Sequence, residues 1–225
     1  MPSVIQHALG ARFERLHPKV QWRFALASSD HRRQIGTGVM EEMSHSLAIP
    51  APMAWMLGAR RVAPAHTGYD IPFTVENYAY LDDAGRETYS YVRSFDFGRR
   101  TSKMDSVMVP SSIGASVIDY LGAAPDMAVR TQVWVDADGG LRLTSGPPRF
   151  LVPLQPRLPA LASATTEARE WWDAKKKRHG IQVEVRNPVL GRMFFYLGHF
   201  TVTEEDCPPG RIPARARTKR LVTAE

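Results

Sequence analysis

Residues 73–97 read FTVENYAYLDDAGRETYSYVRSFDF, and their pattern decides the fold. Two runs of strictly alternating side chains, rich in tyrosine, phenylalanine and valine, flank Asp82-Asp83-Ala84-Gly85. β-branched and aromatic residues at period 2 suit a pleated strand, and Gly85 supplies the positive φ of a short hairpin loop. So tight a link forces the two strands to run antiparallel.

The same grammar continues along the chain. Asp136-Ala137-Asp138-Gly139-Gly140 marks a second tight link, and about ten strands are predicted, near 34–43, 70–82, 86–97, 101–109, 115–122, 126–136, 140–146, 163–172, 180–187 and 193–204. The stretch 165–172 also fits a helix opening on Thr165-Thr166-Glu167; strand is the preferred reading. Helical spacing is confined to residues 4–26, where Ile5, Leu9, Phe13 and Leu16 recur at three- and four-residue steps, and to Pro52–Val62. Pro18 interrupts the first, leaving Val20, Trp22, Phe24 and Leu26 as a second helix or an extended lead-in. The proline-rich stretch 147–159 cannot be a central strand and is expected to cross the domain or cover it as a lid.

Ten antiparallel strands leave exposed edges unless the sheet closes, and closure into a barrel removes them. The expected fold is therefore mainly β, an antiparallel up-and-down β-barrel of the lipocalin or calycin type. It would have eight to ten strands, an N-terminal helix and a short helix after the first strand. A sandwich is the alternative. Residues 1–206 would form the single barrel domain and 207–225 a basic, flexible tail.

The composition, with 44% apolar and 23% charged residues over 225 positions, is that of a folded domain. No run reaches the roughly 18 apolar residues of a membrane span, and Met1–Arg15 lacks the layout of a secretory signal, so a cytoplasmic location is expected. The single cysteine, Cys207, can make no internal disulfide. The net charge of +6 comes mostly from residues 211–225, with a second cluster at Lys175–Arg178. Neither is a folded basic face interleaved with aromatics, so nucleic acid is not an expected partner.

Familiar reaction motifs are missing. Glu42-x-x-His45 lacks the helix and second copy of a di-iron site, and the seven histidines show no HxH or HExxH spacing, so no metal is expected. Gly36-Thr37-Gly38 lacks the third glycine of a dinucleotide loop, Gly114-Ala115-Ser116 is not a nucleophile elbow, and no cofactor is expected.

What remains is dispersed chemistry. Tyr78 and Tyr80 on one strand, with Tyr89 and Tyr91 on the next, make a tyrosine-dense patch near Glu76, Glu87 and Arg93. Such phenols either line an apolar cavity or stabilise the sheet by cross-strand packing. Asp119 stands between Val117-Ile118 and Tyr120-Leu121, where desolvation would raise its pKa toward neutrality. His199 shares a strand face with Met193, Phe195 and Leu197. Glu76, Asp119 and His199 are thus the candidate acid–base groups and Arg93 the charge stabiliser. Tyr78, Tyr80, Tyr89, Tyr91 and Trp134 are candidate walls.

The strings Phe73–Tyr80, Gly85–Thr88, Val117–Gly122, Gly139–Leu143 and Val183–Asn187 together resemble an uncharacterised bacterial domain family, found alone or attached to saccharopine-dehydrogenase-like oxidoreductase domains. That resemblance spans roughly residues 12–204 and implies no catalytic residue. The expected function is a cofactor-independent cyclase, isomerase or dehydratase acting on a bulky hydrophobic small molecule, as in bacterial secondary metabolism. A carrier or sensor of a lipid-like compound, or a partner module of an oxidoreductase, are the alternatives. A homodimer is possible on this reading.

Overall fold

A computed structural model describes residues 1–47, 49, 51–123, 127–150 and 164–217. Eleven strands follow in order: β1 Arg32–His45, β2 Gly68–Leu81, β3 Glu87–Asp96, β4 Thr101–Pro110, β5 Ser116–Leu121, β6 Met127–Val135, β7 Leu141–Ser145, β8 Arg149–Phe150, β9 Thr165–Asp173, β10 Arg178–Asn187 and β11 Gly191–Asp206. Ten of them pair antiparallel in a closed ring, β1 through β7 and then β9, β10 and β11 back to β1, while β8 adds two residues against β6. The chain is a closed ten-stranded up-and-down barrel, as its alternating pattern predicts. The ambiguous stretch is strand β9, fixed between β7 and β10 by ladders on both sides.

The turns behave as their residues dictate. Gly85, at φ +73°, completes the β2–β3 loop, and Asp82 accepts from the amides of Ala84 and Arg86 at 2.9 Å each. Ring closure through β1 and β11 needs a close approach. A Cβ on Gly38 would collide with the carbonyl oxygen of His199 across the pair. Two residues further along, a bulge between Met40 and Glu42 bends β1 around the ring.

Each mouth has its own cover. At one end, helix α1 (Val4–Leu9) is capped by Ser3, whose Oγ accepts from Gln6 N at 3.2 Å, while Gln6 Oε1 accepts from Ser3 N at 2.8 Å. Helix α2 (Pro18–Phe24) begins with proline in its first turn, where the missing N–H costs nothing. Pro18 therefore starts a second helix and excludes the extended lead-in. Ser3 Oγ also donates to Phe24 O at 2.6 Å, tying the two helices together. Val4, Ile5, Leu9, Phe13, Val20 and Phe24 bury into the main core and plug this end.

At the other end, between β1 and β2, helix α3 (Ala51–Ala59) lies across the mouth. The predicted lid at 147–159 falls mostly outside the described residues. Among those described, no helix is long and apolar enough to cross a membrane. Of the segment set apart as a basic tail, residues 207–217 pack on the outer wall. Cys207, Ile212 and Ala216 bury there with Tyr78, Tyr80 and Val92.

Candidate functional site

The register of the β2–β3 hairpin sorts the tyrosine patch. Directly opposed residues project to the same side of a sheet. The pairs Val75–Arg93, Asn77–Tyr91 and Ala79–Tyr89 share one side, and Glu76–Val92, Tyr78–Ser90 and Tyr80–Thr88 share the other. The first side faces the interior. The second lies under the C-terminal segment, so the expected patch is split across the thickness of the wall.

Inside is a chamber of about 540 Å³. Aliphatic and thioether side chains dominate its walls: Met104 and Met108 from β4, Val129 from β6, Leu143 from β7, and Ile181, Val183 and Val185 from β10. Strand β10 thus turns its aliphatic side, Ile181, Val183 and Val185, inward, and Arg186 pairs with Glu184. Phe24 forms part of the floor, and Met56 and Leu57 of α3 form part of the roof.

Two charged groups on this wall are left incompletely satisfied. Asp119, on β5, is 9% exposed, and its Oδ1 has no hydrogen-bond partner. Burial pushes its pKa up to about 7, although the Arg93 guanidinium and the Ser106 hydroxyl draw it partway back. Arg93, on β3, packs over the Tyr91 ring at 4.4 Å and leaves Nη1 without a hydrogen-bond partner. Ser106 stands opposite Tyr91 on the intervening strand β4. Around them, burial raises the Tyr91 and Tyr196 phenols above their usual value, so both remain neutral hydroxyls near pH 7. The chamber therefore offers a carboxyl poised near neutrality, a fixed cation and two phenols.

A second ionic group lies at the floor, held by close charge pairing although Arg23 Nε, Glu170 Oε1 and His179 Nδ1 make no hydrogen bond of good geometry. Arg23, from α2, is 1% exposed, and its Nε stands 3.2 Å from Glu170 Oε1. Its Nη1 donates to Gln34 Oε1 and to Tyr89 OH, both at 2.7 Å. His179 Nδ1 lies 3.4 Å from the same Glu170 oxygen. Burial alone would raise the Glu170 carboxyl, but Arg23 and His179 overcome it and hold the pKa below the usual range. Glu170 reaches the chamber as a spoken-for carboxylate, and Tyr89 is committed to the same network.

The other candidates lie elsewhere. Glu76 accepts from Arg215 Nη2 at 2.7 Å and from Tyr78 OH on the outer wall. Tyr80 OH donates to Ala216 O at 3.1 Å. Trp134 is on the outward side of β6 and 43% exposed. His199 also points outward, with Nδ1 2.9 Å from Glu41 Oε1 and Nε2 3.4 Å from Asp173 Oδ2. In β11 the inward set is Phe194, Tyr196 and Phe200, the alternate residues to His199. Glu42 and His45 stand on strand β1, and among the described residues no three of His, Cys, Asp and Glu converge as metal ligands.

Of the sequence candidates, then, Asp119, Arg93 and Tyr91 share the chamber. Ser106, Glu170 and Tyr196 join them without having been singled out. The even–odd alternation of Phe194 and Tyr196 against His199 carried the signal for Tyr196. Nothing local marked Arg23 as the partner of Glu170.

These features occur in a chain with recognisable relatives. A family model described as "Domain of unknown function (DUF4166)" matches residues 16–200. "Uncharacterized protein YndH" of Bacillus subtilis (strain 168) is 28% identical over 207 residues, covering 92% of this chain and 100% of that protein. No solved structure gives a significant match. The match over residues 16–200 shows that the chain belongs to the DUF4166 family.

Proposed function

We propose that the barrel binds a bulky, mostly apolar small molecule in its chamber and rearranges it by acid–base chemistry without a cofactor. The observation that supports this most is the proximity of an incompletely satisfied carboxyl near neutrality, Asp119, to the incompletely satisfied Arg93 in a mostly apolar enclosure. A carboxyl with pKa about 7 is half ionised at physiological pH, the condition for both taking and returning a proton.

Ionised Asp119 removes a proton from a carbon next to a carbonyl. The C–H electron pair forms the enolate C=C bond, and the resulting oxyanion is stabilised by Arg93 and by phenol donors. In a substrate whose β,γ double bond is conjugated with the enolate, return of the proton to the γ-carbon moves that double bond to the α,β position, restores the carbonyl and gives an isomer. Return of the proton to a β-hydroxyl, with loss of that oxygen as water, gives a dehydrated product. Confinement by the methionine and aliphatic walls selects the reactive conformer.

A carrier would use the same walls without the proton transfer, and one comparison separates the two. Wild-type protein and Asp119→Asn are incubated with an organic extract of cells that make the protein. Mass spectrometry then follows the retained compound and its products. Both proteins are expected to retain the same compound, and only the wild type to yield an isomer or a product lighter by one water. Retention by both with no conversion by either would replace the enzyme with a carrier.

A further inference from the structure

The barrel end that carries α3 holds four of the five most exposed large apolar side chains among the described residues. Leu47, Trp55, Tyr69 and Val189 are each more than six-tenths exposed. They come from three segments that the strand pairing brings to one rim. His45 pairs with Phe194 and Met43 with Gly68, so the turn after β1, the start of β2 and the β10–β11 turn meet there. Helix α3, APMAWMLGA, carries no charge on any side. Ala54 and Leu57 line the chamber, while Trp55 points away from it. A helix apolar on both sides is ordinarily buried on both sides. Here one side covers a cavity and the other meets the surroundings.

Positive charge predominates at this rim, although Arg61, Arg186 and Arg192 are paired with Asp105, Glu184 and Glu42. Segments 46–70, 96–103 and 186–193 hold seven Arg and Lys against two carboxylates, Asp70 and Asp96. Arg99 and Arg100 occupy the exposed β3–β4 turn on the same rim, next to the Asp96–Thr101 pair. The lysine-rich turn Lys175–Lys177 lies at the opposite end of the barrel.

Exposed tryptophan and tyrosine, an uncharged helix and surrounding arginines are what the boundary of an anionic bilayer accommodates. The aromatic rings sit at headgroup depth, the aliphatic groups dip below, and the cations meet phosphates. We propose that this rim docks on an anionic phospholipid surface, placing the α3-covered mouth against the lipid so that an apolar ligand passes between bilayer and chamber. The docking stands on the rim alone and holds whether the chamber is catalytic or a carrier.

Vesicle flotation tests it with the full chain, using phosphatidylcholine alone and phosphatidylcholine with about one-third phosphatidylglycerol, at about 0.1 M salt where charge is only partly screened. The protein is expected to float with the anionic vesicles and not with the neutral ones. The double variant Arg99→Glu/Arg100→Glu is expected to lose partitioning by about tenfold or more. Lys175→Glu/Lys177→Glu, at the far end, should leave it unchanged. Brominated acyl chains should quench the tryptophan emission of bound wild type, and quench bound Trp55→Phe much less. Circular dichroism confirms that each variant is folded. Equal partitioning to neutral and anionic vesicles, no partitioning to either, or loss through the lysine variant instead of the arginine one would overturn the proposal.

Discussion

Replacing Asp119 with asparagine should make the protein more stable, and by an amount that depends on pH. In the folded chain burial raises the Asp119 pKa from 3.8 to about 7. Below pH 3.8 both states hold the proton and the residue contributes nothing to the pH dependence. As pH rises from there, the unfolded chain releases its proton while the folded chain keeps it, so stability falls until the folded carboxyl also ionises near 7. Each pK unit is about 1.4 kcal/mol, which makes the full loss roughly 4 kcal/mol. Asparagine does not titrate. The stability of Asp119→Asn minus that of wild type should therefore grow by roughly 4 kcal/mol between acid and pH 8. That corresponds to a relative midpoint shift of about 10 °C for a chain of this size. Urea unfolding of both proteins at several pH values reads it directly, and any constant effect of the amide on Arg93 cancels. A difference that stays flat, or that shrinks as pH rises, would mean that Asp119 is an ordinary ionised carboxylate and that the poised acid–base group does not exist.

Other perturbations have equally definite outcomes. Arg23→Met strands the buried Glu170 carboxylate and should cost about 3–5 kcal/mol in chemical denaturation, with much of it recovered in Arg23→Met/Glu170→Met; a loss below about 1 kcal/mol would contradict the floor network. Gly38→Ala forces a methyl into the His199 carbonyl and should cost about 1–3 kcal/mol, whereas Gly146→Ala, with open space around it, should stay within about 0.5 kcal/mol. Ile212→Ala should loosen the segment over Tyr78 and Tyr80, and the thiol-labelling rate of buried Cys207 should rise with it. An unchanged rate would mean that the segment does not shield the thiol.

The strands, their order and the closed ring were readable because each strand alternates and most are joined by short links carrying their own turn residues. Register across the hairpin also follows from Asp82–Arg86. What alternation cannot convey is which of two faces looks inward when both are apolar or aromatic. In β2 and β3 both faces bury, one against the chamber and one against residues 207–217, and so Tyr78 and Tyr80 resemble cavity walls as strongly as Tyr91. The basic charge of that segment suggested solvation, but Ile212 and Ala216 anchor it while Arg215 reaches Glu76. Asp119 was legible because a lone carboxylate among aliphatic residues needs a reason. Glu170 was not, because its partner Arg23 comes from a helix 147 residues earlier in the chain and only the closed barrel brings them together.

The hollow centre is the claim on which the proposed chemistry depends. The direct measurement is titration with a neutral apolar fluorophore such as N-phenyl-1-naphthylamine, comparing wild type with Ala168→Trp and Val183→Phe, two substitutions that fill the chamber from β9 and β10. Saturable binding of one molecule per chain, weakened about tenfold or more in both folded variants, is the predicted result. Wild-type protein that binds none, or filled variants that bind as well as wild type, would contradict an open chamber.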